Sequence, residues 1–565
     1  MNKKQVIAVL KEIGLLLEVK GESYFKSKAY YDAARTLEKM EDDIEDLVRE
    51  RRLETIKGIG KALNQKITEL VTTGELAYYN RLKASIPEGL VQMLRIDGLG
   101  PKKIMTLYDK LGIATVEELT KACQENKLTG LPGFSRKTQE KILEGIERLQ
   151  DYDERFHYPV GHLIGRDLLK HMQESGSVIR CDIAGSLRRK HEIIKDIDIL
   201  ASSHEPAKTM EAFVAHPYVE GIIGQGDTKT SVLLQNGIKA DLRVVSDEQY
   251  PYALHHFTGS KDHNAALRHI AKQEGLKMNE YGIFRGENLI PCTNEKEIFR
   301  VFQMDYIPPE LRENHGELEA AQAHTLPHLV EGSDIKGIIH VHSQYSDGNA
   351  TIEELVKGCM SKGYHYLGIS DHSQTAVYAG GLTVEQLKRQ HEEIDRLNEQ
   401  YRDFKIFKGI ESDILLDGAL DYPDTILESL DFVIGSIHSA FNMTEEKMTK
   451  RMMEAVQNPY MTIWGHPTGR LLLRREGYKL DVKKIIEACI AHEVIIEINA
   501  NPYRLDMDWR YMKWAKEQGA RFIISPDAHS IKELDYMNYG IQVARKGWLE
   551  KDNIINTRHQ DNVWQ

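Results

Sequence analysis

Seven short apolar runs after residue 335 constrain this chain more than any other feature: GIIHVH, YLGISDH, KIFKGIE, FVIGSIH, MTIWGH, VIIEIN and RFIISPDAH. Their last residues are 342, 372, 411, 438, 466, 499 and 529, so successive ends lie 27 to 39 residues apart. That is the length of one strand plus one returning helix, the rhythm of a parallel barrel or doubly wound sheet. Six of the seven runs end in His, Asp or Glu. In a parallel barrel the C-terminal strand ends share one mouth, so these side chains are expected to converge there. A lone strand-end His is more often a hydrogen-bonded core residue, but six successive ends with ligand chemistry point to metal. His340 and His342, two residues apart, are expected on one side of their strand. Imidazole mixed with carboxylate suits Zn, Mn or Fe better than Mg. Only 10 of the 23 histidines follow residue 335, so position carries the argument, not number. His365, His391 and His492 read as ordinary surface or helix residues.

The first 150 residues read differently. Val6, Leu10, Ile13 and Leu17 recur at helical spacing, and β-like runs are scarce. Three segments share one plan: IKGIGKALNQKI (56–67), IDGLGPKKIMTLY (96–108) and LPGFSRKTQEKI (131–142). Each has an apolar residue, a Gly turn and a Lys-rich helix. Glycine tolerates positive φ, and a helix start presents free N–H groups, so each plan suits one backbone phosphate without regard to base sequence. This is the helix-hairpin-helix pattern, with Gly58, Gly60, Gly98 and Gly100 at its turns. The third copy departs from it, because Ser135 replaces the second Gly.

Charge agrees with that division. The net charge is −12, yet residues 1–150 hold 26 Lys and Arg against 23 Asp and Glu, leaving −15 for the rest. A near-neutral front with Lys clusters can grip phosphates, and an acidic remainder fits carboxylates gathered around cations. The length of 565 residues suggests three to five domains. Five widely spaced cysteines without a CxxC favour neither a disulfide framework nor a thiolate zinc site, as in a reducing cytoplasm. Lys11 and Glu12 interrupt the first apolar run too early for a signal peptide, and no run approaches ~18 apolar residues. A soluble, cytoplasmic protein is expected, with no membrane partner.

Between these parts, VIRCDIAGS, DIDILAS, TSVLLQ and IKADLRVV read as strands of one sheet. On a strand, Asp196 and Asp198 share a face, and Asp241 lies on a neighbouring strand. Two like charges ~4 Å apart repel by about 4 kcal/mol at an effective dielectric near 20. Such a triad therefore calls for cations, and two divalent ions held this way can clamp both oxygens of an in-line phosphoryl displacement. Gly185 and Ser186, with Arg188 and Arg189, form a donor set suited to a triphosphate.

Two resemblances become explicit at these residues. GSLRR, DIDIL, IKADLRVV and HHFTGSKDHNAALR resemble the palm and thumb of family X DNA polymerases, the DNA polymerase beta relatives, over about residues 1–315. That resemblance implies metal ligands at Asp196, Asp198 and Asp241, with two Mg²⁺ or Mn²⁺ ions. It also implies nucleotide contacts from Gly185, Ser186, Arg189, Phe257, Gly259 and Asn264. His256 stands where family members often have Tyr, which bears on how the sugar is sensed. YFKSKAYYDAAR and GIGKALNQKI are similar to the family's small 5′-phosphate-binding domain. Lys26, Tyr30 and Lys66 match its phosphate or abasic-sugar positions, and Ala62 replaces a basic one.

HVHSQYSDG, SDH, GIE, SIH, GHP and PDAH resemble the PHP phosphoesterases over about 335–565. The implied ligands are His340, His342, Asp347, His372, Glu411, His438, His466, Asp527 and His529, for up to three Mn²⁺, Zn²⁺ or Fe ions. Asp347 stands where some relatives have His.

The expected fold is multidomain, α+β and α/β. Residues 1–85 would form a small helical 5′-phosphate-binding domain and 86–150 a helical fingers-type domain. A nucleotidyltransferase palm (151–245), a thumb (246–315), a linker (316–334) and a distorted seven-stranded PHP barrel (335–565) would follow. The implied function is gap-filling DNA synthesis in repair, on gapped or nicked duplex with dNTPs, by a monomer. The barrel would add metal-dependent 3′-to-5′ exonuclease and abasic-site endonuclease activity. The alternatives are a small-metabolite phosphatase and a DNA-binding scaffold with an inactive polymerase site.

Overall fold

Apolar residues at three- and four-residue spacing make the front of the chain helical. The computed structural model describes residues 3–564 apart from 39, 41–43, 57 and 97. They divide into two units. One runs to Asp153 and includes Val377–Gly380; the other takes Glu154–Ala376 and Gly381 onward. In the first unit, Val6, Leu10, Ile13 and Leu17 of helix Lys3–Val19 are all buried. Gly14 lets that helix meet Tyr31 of helix Tyr24–Glu38 closely, since a Cβ there would lie 2.9 Å from the ring. The three turn segments precede helices Lys61–Thr73, Pro101–Leu111 and Arg136–Asp153.

The second unit opens with a five-stranded sheet: β1 (Arg180–Ile183), β2 (Asp196–Ser202), β3 (Val219–Gln225), β4 (Lys229–Leu234) and β5 (Lys239–Val245). Its order is β1-β2-β5-β4-β3, with β2 and β5 parallel. All four expected runs are in it. The edge strand β3 was not expected. It is exposed along most of its length and so lacks the alternation that reveals a half-buried strand. Helices Tyr250–Thr258 and Lys261–Gln273 follow, then a small antiparallel sheet and helix Glu295–Val301 around buried Tyr252, Leu267 and Phe299.

The stretch 316–334, expected as a linker, carries helix Glu317–Gln322. Glu317 is buried against His263 (2.7 Å) and Leu318 packs into the core beside it. Pro and polar content gave no sign of this, because beside the local Asn314 and His315 amides the buried Glu317 needs His263, which is distant in sequence.

Seven parallel strands then run in chain order: β6 (Gly337–Val341), β7 (Tyr366–Ile369), β8 (Lys405–Asp413), β9 (Phe432–Ser436), β10 (Ile463–Trp464), β11 (Ile495–Asn499) and β12 (Phe522–Ser525). The last reaches back to the first through a Val341–Ala528 bridge, with His342 N donating to Ala528 O at 2.9 Å, so the barrel is nearly closed. Helices such as Ile352–Ser361 and Val482–Ala491 cover the strands, which explains their unbroken apolar runs.

Beneath the strands, Phe432 lies over Gly368 and Gly409 and stacks on Trp564 at 5.2 Å. A Cβ on Gly409 would sit 2.1 Å from the Phe432 ring. Charges join sheet and barrel within this unit. Buried Lys546 donates to Glu313 (2.6 Å) and to the Arg189 carbonyl (3.1 Å). Glu192 accepts from Trp509 Nε1 (3.3 Å) and Arg510 (3.1 Å). Phe432→Ala leaves a void under both glycines and is expected to cost about 3–5 kcal/mol. The check is denaturant unfolding of the full chain, in which the barrel transition should move to lower denaturant.

Candidate metal centres

The sheet brings its three aspartates together. Asp198 of β2 pairs directly with Asp241 of β5 in parallel register, and Asp196 lies two residues before Asp198 on the same face. Asp198 is pushed up to about 7 by burial and then by Asp196 and Asp241, and Asp196 is raised by burial and then by Asp241. Lys229 on β4 lies 2.5 Å from Asp241, and Lys195 and Arg243 also act on the group. Asp196 and Asp198 stay raised in spite of these cations, which fits a site that takes divalent cations. Sequence reading missed Lys229, which lies opposite Arg243 on the adjacent strand and reaches Asp241 diagonally.

Gly185 is required here. Its φ is +61°, and a Cβ would meet Asp198 Oδ2 at 2.0 Å. Ser186 follows in the one-turn helix Gly185–Arg188. Arg188 forks onto Glu295 at 2.6 and 3.0 Å. Arg189 is turned into the protein: Nε donates to Glu313 (3.0 Å) and Nη1 to the Thr258 carbonyl (2.6 Å). Gly259 lies beside that guanidinium, since a Cβ on it would be 3.0 Å from Nη1. Phe257 is covered by Arg243 of β5 at 4.3 Å. Asn264 donates to the His256 carbonyl at 2.7 Å, while its Oδ1 is buried without a hydrogen-bond partner.

In the first unit, Gly58 and Gly98 adopt φ of +98° and +87°, and Gly60 and Gly100 are extended residues just before their helices. Neither Gly60 nor Gly100 supplies a side-chain cap, and a Cβ on either would meet open space. The third turn closes the same way, with Phe134 N donating to Leu131 O, but Ser135 Oγ accepts from Thr138 N at 3.1 Å. In the first two copies the corresponding amides, Leu63 N and Lys103 N, donate instead to the Gly60 and Gly100 carbonyls at 2.9 Å. Lys57 and Asp97 of the first two turns lie outside the described residues. Lys66 donates to Tyr30 Oη and sits 3.5 Å over the Tyr78 ring, with its pKa lowered by burial and then by Lys26. Lys26 itself pairs with Glu22 at 3.1 Å.

All nine strand-end candidates of the barrel come together. Three ligand sets emerge: His342, Asp347, His372 and His529; His340, His342 and Asp527; and His372, Glu411 and His438. His466 joins through Glu411 (2.9 Å) and His438 (3.2 Å). Backbone bends aim them: His340, His466 and Asp527 have φ of +64°, +23° and +52°, and the β6–β7 register shifts between Ile338 and Val341. Such strain persists where the surroundings over-determine it.

His340 Nε2, both ring nitrogens of His342 and Glu411 Oε2 are buried without hydrogen-bond partners. Burial, then His529 and His372, pushes His342 down to about 3, so its ring is neutral near pH 7. Orphaned nitrogens and carboxylate oxygens converging in this way fit divalent ions of the Zn, Mn or Fe type.

Three supporting residues were missed from sequence. Glu497 accepts from His340 Nδ1 and from His466 N (2.6 Å), and Asp413 bonds His438 Nδ1 at 2.6 Å. Arg504 Nε lies 3.6 Å from Asp527. Glu497 was legible as the residue two before the end of the sixth run, VIIEIN. Asp413, two residues after Glu411 on β8, was legible by the same period.

Comparison with known proteins assigns parts of the chain to families. Residues 1–76 match the helix-hairpin-helix domain family, and residues 91–148 the SAM-like helix-hairpin-helix tandem family. Residues 253–313 match the DNA polymerase beta thumb, and 339–501 the PHP domain. The DNA polymerase/3′-5′ exonuclease PolX of Bacillus subtilis (strain 168) is 41% identical over 569 residues, covering 100% of this chain and 99% of the relative. A probable phosphatase of Thermoanaerobacter sp. (strain X514) is 28% identical over 236 residues, 39% of this chain and 89% of its own. With a full-length relative at that identity and both signature domains matched, the chain belongs to the PolX family, the family X DNA polymerases that carry a C-terminal PHP domain.

Proposed function

We propose that this chain fills short gaps in damaged DNA at the three-aspartate centre and removes nucleotides from 3′ ends at the barrel centre. The observation that carries the reading is two ligand-rich centres of different chemistry in one chain: carboxylates alone at Asp196, Asp198 and Asp241, and imidazoles with carboxylates in the barrel. We assign residues 1–85 and 86–150 to DNA-gripping helical domains, 151–245 to the palm, 246–315 to the thumb, 316–334 to the connection and 335–565 to the barrel. Its substrates are then gapped or nicked duplex and dNTPs.

Asp196, Asp198 and Asp241 would hold two Mg²⁺ or Mn²⁺ ions, and the nine barrel ligands up to three Mn²⁺, Zn²⁺ or Fe ions. Bound ions of either kind supply Lewis acidity to phosphoryl oxygens and lower the pKa of water. The chain's own residues do the placing. Gly185 and Ser186 offer donors beside Asp198, and Arg189 lies against Gly259. Phe257 and Asn264 border the nucleotide. Glu497 and Asp413 hold His340 and His438 by their Nδ1 atoms, which leaves Nε2 for a ligand. The lowered pKa of Lys66 in its Tyr30–Tyr78 slot supports an amine that grips a 5′ phosphate or attacks an abasic sugar. A small-metabolite phosphatase is the weaker reading, since the probable phosphatases match only 39% of the chain.

A one-nucleotide gapped duplex with Mn²⁺, with and without dNTPs, tests both activities through product length. Asp198→Asn should abolish extension and spare 3′ degradation; joint loss in a folded variant would refute separate centres. Glu497→Gln should slow 3′ degradation by about 10–100-fold, through His340, while extension persists. Chelation should stop degradation, and added Mn²⁺ should restore it. Lys66→Ala should weaken binding to a gap bearing a 5′ phosphate and leave binding to its unphosphorylated twin unchanged, which a titration at fixed salt would read.

A further inference from the structure

The loop 500–505 leaves β11 immediately after Glu497 and Asn499 and returns through an Asn499–Asp506 bridge. It is held at the barrel mouth by polar contacts to a metal-ligand candidate. Asn499 Nδ2 donates to Asp527 Oδ2 at 3.1 Å, and Arg504 Nε lies 3.6 Å from the same oxygen. Tyr503 is the next residue to Arg504, and it is 55% exposed.

An exposed aromatic is ordinary; an exposed aromatic held still at this place is not. Tyr503 N donates to Asn501 Oδ1 (3.0 Å), and its carbonyl accepts from Leu472 N (2.7 Å). Its ring meets His157 edge to face, with centroids 4.9 Å apart and planes at 73°. His157 is fixed in turn by Nε2 on the Leu472 carbonyl at 3.0 Å. The ring is thus oriented from two sides and still half open to solvent. Among the described residues of this unit, the other exposed aromatics, Tyr218 and Tyr281, precede the barrel strands in the chain.

We infer that Tyr503 is a stacking platform for the nucleobase at the 3′ terminus of the strand degraded in the barrel. Neighbouring residues ~3.8 Å apart at Cα can engage two parts of one nucleotide, Arg504 the side facing the metal ligands and Tyr503 the base. Stacking uses the π-face that every base has, so the platform accepts any terminal base. Tyr503 is a positioning residue: it fixes the end of the strand, and the ligand cluster acts on the phosphodiester.

The inference rests on the exonuclease reading above, and the test separates the two. Two single-stranded oligonucleotides are compared that differ only in the last nucleotide, one normal and one carrying a tetrahydrofuran sugar without a base. Tyr503→Ala should lower kcat/KM by about ten-fold on the normal end and leave the baseless end at the wild-type rate. Tyr503→Phe should match the wild type on both ends. Tyr503→Leu keeps apolar bulk against His157 without an aromatic face, and it should behave as Tyr503→Ala does. Equal slowing on both ends, or none on the normal end, overturns the platform. A wild-type protein that degrades neither end fails the exonuclease reading instead.

Discussion

Glu411 sets the terms for the barrel. It is buried, and five imidazoles surround it: His340, His342, His372, His438 and His466, at 2.9 to 3.6 Å. A buried carboxylate is tolerable only with nearby positive charge or several donors. No single segment could supply five histidines around one oxygen pair, because they come from four different strand ends. The centre therefore exists only while the strands hold their register. Strand order, the helices that enforce it and the Phe432 packing beneath are conditions for the chemistry above. Glu497 and Asp413 complete the arrangement by occupying Nδ1 of His340 and His438.

The three-aspartate centre meets the same electrostatic problem with fewer means. It has no imidazole among its three candidate ligands, and burial lifts Asp198 to about 7 despite the nearby cations. Carboxylates alone suit hard cations that exchange with substrate, whereas a cage of imidazoles suits ions that stay. The two centres thus divide by ligand hardness within one chain, consistent with one that builds phosphodiesters and one that breaks them.

Much of this was legible in the residues. Period-two spacing put Asp196 and Asp198 on one face, and the 27–39 residue spacing gave all seven barrel strands. What escaped was whatever depends on partners far apart in the chain. Glu317 sits in a polar stretch that reads as a connection, and besides two local amides its burial depends on His263, 54 residues earlier. The edge strand β3 lacks alternation because nothing covers it. Arg189 reads as a free triphosphate contact, yet Glu313 and the Thr258 carbonyl hold it. The substitution of Ser135 for Gly was visible, but that its hydroxyl caps Thr138 N needed coordinates.

The charges between palm and barrel carry a consequence for anyone wishing to separate the two activities by scissors. Glu313 faces Arg189, His191 and Lys546, and the last comes from helix Met537–Lys546 near the end of the chain. Glu192 likewise looks to Trp509 and Arg510. A fragment ending before the barrel would leave both glutamates short of partners and bare an apolar seam. Its synthetic behaviour would then report a wounded palm, not a palm freed of its nuclease.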